Sequence, residues 1–548
     1  MGVKGVIAAG DPATAEAGAQ MLQKGGNAVD AAVAAAFASF IAEIGVVHLG
    51  GSGVAQIFIP NPGSGPEPGS GPNPDSNPIS LSYDFFSAMP GLGRLREKED
   101  LDFEEVIIDF GPTTQSFFLG RGSVAVPGNI FGLCKLAAEH GRLPLSVLLQ
   151  PAIKLAREGH LLAPFQAETC DLLSPIYTHT GEMRNIFQKD GKIIQPGDHL
   201  YIPHLEQTLI ALAENGDGLI RSGLLAEALV QDQQENGGLL TRQDLARYLV
   251  PTLPPIQVTY REFEVYLPPP SSSGGVLTAF TLKLLSRLEV IEYDHGSTEH
   301  LRLLFEIMAA TTRARPFLDR ALNELTSEDA VQYFLAEGFV SHYSDEVSAA
   351  LFGDQRFPAL SEPSLHPDTS HISVIDASGL AVSLTTTAGE SAGYILPGTG
   401  LIPNNILGEA DLHPGGFHSR TPGQRIPTMM TPTIILKDGK VRLVVGSGGS
   451  IRIRSAILQV LSNLLDYKMK LVEAVNSPRV HLEEGVLQCE YGYDPDSIDK
   501  LEEMGYLINR WDKRSIYFGG AHSVSRTESG RMAAAGDSRR GGAVSVVE

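Results

Sequence analysis

A layered α/β architecture, sheets flanked by helices, is predicted by three features of the sequence. The N-terminal half reads as a succession of helices, and from about residue 369 the pattern switches to period-two strands closed by tight turns. A long helix-period segment then follows those strands. The 548 residues exceed what one core of about 100–200 residues needs, so two to four domains or one large multilayer unit is expected. Hydrophobic residues make up 43% and charged residues 19%, which excludes wholesale disorder. Asp and Glu number 64 against 42 Lys and Arg, a formal charge of −22, so neither nucleic acid nor an anionic membrane surface is an expected partner.

Taken in order, Pro12–Lys24 has apolar residues at helical spacing and Gly25-Gly26 stops it. Asn27 can cap the next helix, AVDAAVAAAFASFIAEIG, whose small side chains let neighbours approach from several sides. Asp30 and Glu43 interrupt the apolar stretch Ala28–Val47, which therefore fits a buried helix better than a membrane span. The opening MGVKGVIAAGDPATAEAG lacks the apolar run and cleavage site of a secretory signal, so a cytoplasmic location is expected. HLGGSGVAQIFIP is a Gly-rich turn feeding a strand, and 61–79 is a Gly/Pro/Ser insertion in a hairpin loop.

From Val124 to His160 two amphipathic helices flank a Gly-Arg-Leu-Pro turn, and about 165–350 is mostly helical. The strand and loop FEVYLPPPSSSGG interrupts it, as a plain connector or as the edge of an active-site wall. Residues 369–376 and 380–387 alternate around the turn ASG, with Gly379 where φ > 0 is needed. A second hairpin, 431–437 with 441–446, closes on Asp438-Gly439, and a helix, IRSAILQVLSNLLDYKM, follows. Cys134, Cys170 and Cys489 show neither a disulfide framework nor metal spacing.

The first hairpin fixes a register. If Asp376 pairs with Leu380, Thr369 stands opposite Thr387, and two hydroxyls meet at its open end. Two facing threonines are also ordinary strand residues. The GSGGS segment at 446–450 joins a strand to a helix, where successive backbone N–H groups can hold an anion; no GKS/T follows, which disfavours a nucleotide loop.

The chain resembles the gamma-glutamyltransferase (gamma-glutamyltranspeptidase) family in order and over nearly its whole length. The matching segments include GGNAVDAAVAAA, VAVPGNIFG, LPLSVLLQPAIKLAREG, PPPSSSGG, DTSHISVIDASGLAVSLT, PNN, MMTPTIILKDG, GSGGS and SPRVHLEEG. The resemblance implies an N-terminal nucleophile hydrolase, a four-layer αββα sandwich made as a precursor that cuts itself at Asp368–Thr369. Residues 1–368 would form the large fragment and 369–548 the small one, intertwined as one unit. Thr369 would be the nucleophile, with its freed α-amine as base; that amine has a reference pKa of about 7.7–8.0 and does not exist in the precursor. By motif, Thr387 orients Thr369, and the N–H groups of Gly449 and Ser450 form the oxyanion hole. The implied cycle acylates Thr369 with a γ-glutamyl-type amide and passes the acyl group to water or an acceptor amine, with no metal or organic cofactor. The expected partners are thus that small-molecule amide, the acceptor, and each fragment for the other; homo-oligomerisation stays open.

The substrate positions depart from the glutathione-using pattern. Phe86 stands where those members carry a carboxylate-binding Arg, a role Phe cannot play. Gly389 replaces an Asn, Ile406 replaces the polar residue after Asn404-Asn405, Glu409 carries the acid that meets the α-amino group, and Thr428 and Met429 replace paired serines. Asn404 and Asn405 are expected to shape the pocket, structurally or by touching substrate. Three readings stay open: a γ-glutamyl enzyme with another basic residue such as Arg425 holding the carboxylate, an amidohydrolase or acylase for a less polar acyl group, and an unprocessed scaffold. His371 is read as a packing or hydrogen-bonding residue, His413 and His418 as surface histidines, and Trp511 carries no argument.

Overall fold

The computed structural model describes residues 3–60, 77–93, 101–109, 114–353, 357–358, 369–413 and 415–548. Two antiparallel sheets form its centre. The first runs, edge to edge, Thr252–Leu253, Ile79–Phe85, Ser52–Ile59, Ala381–Thr387, Ser370–Asp376, Gly5–Ala9 and Ala543–Val547. The second runs Ile256–Tyr260, Phe263–Leu267, Thr433–Lys437, Lys440–Val445, Ser523–Arg526 and Met532–Ala535. Their facing sides bury Val6, Ala8, Phe58, Ile375, Ile434, Val444 and Val524 in a shared core. Helices Pro12–Gln23 and Ala28–Ala42 cover the outer face of the first sheet, and Ser273–Leu285, Thr298–Glu324 and Arg452–Leu465 cover that of the second. The result is the expected αββα sandwich.

Local chemistry explains the helix layer. Asn27 and Asp30 form a reciprocal capping box: Asn27 Oδ1 accepts from the N–H groups of Val29 (2.9 Å) and Asp30 (3.1 Å), and Asp30 Oδ2 accepts from Asn27 N (2.8 Å). All fifteen residues of Ala28–Ala42 are buried. The neighbouring helix comes so close that a Cβ on Gly18 would stand 2.9 Å from the Ala31 carbonyl oxygen.

The hairpin register is the expected one. Ser370 pairs with Thr386, His371 with Thr385 and Ile375 with Ala381, so the next step places Thr369 opposite Thr387. Gly379 in its loop has φ +88°, and Asp438-Gly439 turns the second hairpin with φ +53° and +68°. The alternation of Ser370–Asp376 and Ala381–Thr387 does not mark a wet face, because every residue of both strands is buried. Their polar side is satisfied inside the sandwich: Ser383 Oγ, for example, donates to Val445 O (3.1 Å).

Strands from 1–368 and 369–548 interleave. Gly5–Ala9 lies between Ser370–Asp376 and Ala543–Val547, and Phe263–Leu267 pairs with Thr433–Lys437. The hairpin carrying the 61–79 insertion closes with Ile59 paired to Ile79, while 61–76 lie outside the described residues. Among the described residues no helix is long and apolar enough to cross a membrane. The cysteines are free.

Candidate active site

Thr369 immediately precedes the strand Ser370–Asp376 and is buried. A cavity of about 20 Å³, room for about one water, brings it together with Thr387, Phe86, Glu409, Thr428, Met429 and Ser450. All seven are residues that the sequence singles out. Ile406, Leu412, Met430 and Ile453 add apolar wall, and Asp411 adds a second acid. Larger surface clefts of about 580 and 540 Å³ contain none of the candidate site residues; the cluster of hydroxyls and acids, rather than size, marks the small cavity as the candidate site.

Thr387 Oγ1 accepts from Gly389 N (3.1 Å). Gly389 itself has φ +67°, and a Cβ there would lie 2.1 Å from Glu409 Oε1 and 2.3 Å from Asn405 Oδ1. The missing side chain at 389 thus makes room for the Glu409 carboxylate. Asn404 and Asn405 do not line the cavity; they tie loops together. Asn404 accepts from Ala125 N (3.0 Å) and Ile406 N (3.2 Å) and donates to Gly50 O (2.8 Å), while Asn405 Oδ1 accepts from Glu390 N (2.8 Å) and Ser391 N (3.2 Å).

The glycine turn at 446–450 meets the start of the strand. Gly449 has φ +112° and Ser450 φ +50°, and Ser450 Oγ donates to Asp411 Oδ2 (2.9 Å). Burial raises the Asp411 carboxyl above the usual range. Gly448, absent from the sequence-based site, is the tightest neighbour: a Cβ on it would stand 2.1 Å from the Thr369 carbonyl oxygen. The Gly-Gly pair inside GSGGS was the available signal. The PPPSSSGG loop supports this wall. Ser272 Oγ donates to Met430 O (2.7 Å), Gly274 N donates to Thr428 O (3.2 Å), and a Cβ on Gly274 would meet Met429 O at 2.2 Å.

Arg425 cannot take the place of the missing arginine. Its guanidinium donates to the carbonyl oxygens of Asp84 (3.2 Å), Phe86 and Leu249, and it lies over the Tyr248 ring. His371 is buried with both ring nitrogens engaged, Nδ1 with Thr385 Oγ1 (2.8 Å) and Nε2 with Ser373 Oγ (2.9 Å); burial holds its pKa well below the ordinary value. It is a satisfied core residue. His413 is not a surface histidine: it is buried, with Nε2 3.0 Å from Ile406 O, and His418 is half-buried against Gly122 O (2.8 Å). Among the described residues no cluster of three His, Cys, Asp or Glu could hold a metal.

Behind the strand, Glu43 accepts from Ser370 Oγ (2.5 Å). Burial, with nearby Asp11 adding to it, pushes the Glu43 carboxyl up from 4.5 to about 7. Between those values the folded protein holds a proton that the unfolded chain has released, so stability falls as pH rises. The expected loss is about 1.4 kcal/mol per pH unit and roughly 3 kcal/mol across the window. Glu43→Gln should flatten that part of the stability–pH curve in urea titrations. A slope as steep as that of the parent would show that Glu43 ionises normally.

The model of the family described as Gamma-glutamyltranspeptidase matches residues 14–63 and 107–547. The Acylase ACY 1 proenzyme of Pseudomonas sp. (strain SE83) is 32% identical over 539 residues, covering 97% of this chain and 92% of that protein. The glutathione hydrolase proenzyme of Escherichia coli (strain K12) is 28% identical over 526 residues, covering 92% and 86%. In fold, the crystal structure of cephalosporin acylase from Bacillus halodurans superposes with a TM-score of 0.81 at 21% identity, over 100% of this chain and 96% of that one. The family model matches most of the chain and these relatives align over nearly all of it, so the chain belongs to the gamma-glutamyltranspeptidase family, a family of N-terminal nucleophile hydrolase enzymes.

Proposed function

We propose that this chain is a self-cleaving acylase that hydrolyses amides whose acyl group is less polar than γ-glutamyl. The observation that carries the reading is the cavity wall. Phe86, Ile406, Leu412, Met429, Met430 and Ile453 surround Thr369, no Lys or Arg among the described residues lines the cavity, and Arg425 is held by three carbonyls. A substrate α-carboxylate buried against this wall would find no cation in it to pair with, which costs several kcal/mol. The likeness to the Acylase ACY 1 proenzyme supports the same choice.

Cleavage at Asp368–Thr369 would free the Thr369 amine. That amine takes the Oγ proton as Oγ attacks the amide carbon, and returns it to the departing amine as the C–N bond breaks. Water then attacks the acyl–Thr369 ester, releasing the carboxylic acid and restoring the hydroxyl. Gly389 N occupies one lone pair of Thr387 Oγ1, whose hydroxyl is directed at Thr369 on this reading. The N–H groups of the glycine turn, Gly449 and Ser450 with Gly448 beside them, receive the oxyanion; each such donor is worth about 2.7–4 kcal/mol. A cavity of about 20 Å³ admits no acyl group, so the uncut chain is read as inactive. The unpaired cysteines fit a reducing cytoplasm.

Glu409 in the wall is the observation favouring a γ-glutamyl substrate, since it could receive an ammonium group. A panel of p-nitroanilides decides between them. Aliphatic and aromatic acyl groups are expected to exceed γ-glutamyl by at least about tenfold in kcat/KM, about 1.4 kcal/mol of transition-state preference. The opposite ratio would restore the γ-glutamyl reading, and a chain that never cleaves would leave the scaffold reading.

A further inference from the structure

We propose that Arg540 is a positioning residue for Thr369, holding its carbonyl and setting a fixed positive charge beside the α-amine that cleavage releases. The inference rests on the reading of Thr369 as an N-terminal nucleophile. Arg540 is 4% exposed and near the far end of the chain, yet its Nη1 donates to Thr369 O (3.4 Å) and its Nη2 to Ile516 O (3.4 Å).

The approach is built into the glycines around it. A Cβ on Gly520 would meet Arg540 Cδ at 2.4 Å, one on Gly448 would come within 3.1 Å of Nη1, and one on Gly449 within 3.4 Å of Nη2. Gly448 and Gly520 are themselves bridged across the two segments. The guanidinium therefore runs through a channel that these glycines leave open, and it touches the nucleophile residue and the proposed oxyanion turn together.

The base of the side chain is fixed by a buried ionic knot. Asp537 pairs with Arg479 (2.6 Å) and Arg539 (3.1 Å) and accepts from the N–H groups of Ala521 (2.8 Å) and Arg539 (3.0 Å). Burial alone would raise the Asp537 carboxyl, but the two guanidiniums outweigh it and hold it below the usual range. Arg539 also pairs with Glu490. Arg540 thus extends from a rigid anchor.

The charge has a chemical consequence. Only the neutral amine can take the Thr369 Oγ proton, and a free α-amine titrates at about 7.7–8.0. The carbonyl and amine of one residue lie within about 4 Å, so the guanidinium sits roughly 7 Å or less from the amine, enough to lower its pKa by about one unit. Asp411 and Glu409 in the cavity wall act in the opposite sense, and Glu43 approaches from behind through Ser370. His371 on the same strand and His522 facing Arg540 are kept neutral by burial, and Arg452 adds positive charge beyond Asp411.

The experiment is the pH–rate profile of the full-length parent after self-cleavage, with Arg540→Gln and Arg540→Lys alongside. N-terminal sequencing of the small fragment comes first: a start other than Thr369 would defeat the nucleophile reading itself, independently of Arg540. With Thr369 at the terminus, the acid limb of the parent is expected below 7.7. Arg540→Gln should move it up by about one unit, and Arg540→Lys should return it to within a few tenths of the parent. A limb in Arg540→Gln unchanged from the parent would overturn the proposal. If Arg540→Gln fails to cleave, the parent decides: an acid limb at or above about 8 would overturn it, and one near 7 would support it.

Discussion

Thr369→Ala is expected to leave one full-length band on a denaturing gel, however long the incubation, and to show no turnover. The parent should resolve into bands of about two-thirds and one-third of the mass, the smaller beginning Thr-Ser-His-Ile. One atom accounts for both losses on the proposed mechanism, in which the Oγ that attacks the Asp368–Thr369 bond is the Oγ that later attacks the substrate. Removing the nucleophile from a site of this kind costs at least about 10⁴-fold in kcat. The fold should survive: Thr369 lies just before the strand Ser370–Asp376, and the Ser370–Thr386 and His371–Thr385 pairs that fix the register do not use its side chain. A melting temperature within a few degrees of the parent would check this. Thr369→Ser keeps the hydroxyl and should still cleave. Normal cleavage in the alanine variant would sink the mechanism.

How much of this was legible in the sequence depends on distance along the chain. The facing of Thr369 and Thr387 follows from a short loop, one glycine and period-two geometry, all within nineteen residues. The cap at Asn27 is equally local. What escaped was long-range. The guanidinium of Arg425 is committed to the carbonyls of Asp84, Phe86 and Leu249, segments more than a hundred residues away, and no local pattern announces that. Arg540 and Glu43 reach the strand from opposite ends of the chain, and neither sits in a motif that signals chemistry. The burial of both hairpin strands also escaped, because alternation looks the same whether the polar side faces water or a second sheet.

These long-range contacts change what the motifs mean. Phe86 alone says that a carboxylate clamp is missing. Phe86 with Arg425 engaged elsewhere leaves no described Lys or Arg in the cavity wall to replace it, and that is the basis of the proposed preference for a less polar acyl group. Gly389 and Glu409 read the same way. Separately they are two departures from a pattern; together they fit one exchange, in which the side chain missing at 389 leaves its space to the Glu409 carboxylate.

Gly448→Ala tests the other half of the site. A methyl group there would stand 2.1 Å from the Thr369 carbonyl oxygen, a distance no Cβ tolerates, and 3.1 Å from the Arg540 guanidinium. The oxygen belongs to the backbone, so either the strand end or the glycine turn must move by about 1 Å. A shift of that size at reacting groups costs on the order of 10²-fold, and losing an oxyanion donor costs about 2.7–4 kcal/mol. Turnover is therefore expected to fall by roughly 10²–10³-fold, with slower self-cleavage and only a modest fall in stability. Gly439→Ala is the control. That glycine has φ +68° in an outer turn, and a Cβ on it would meet nothing within 4 Å, so alanine there strains the backbone by about 1 kcal/mol and leaves the site untouched. If both variants lose stability equally and keep their rates, the turn at Gly448 has no part in holding the transition state. A rate loss confined to Gly448→Ala would place the close approach of turn and strand within the chemistry.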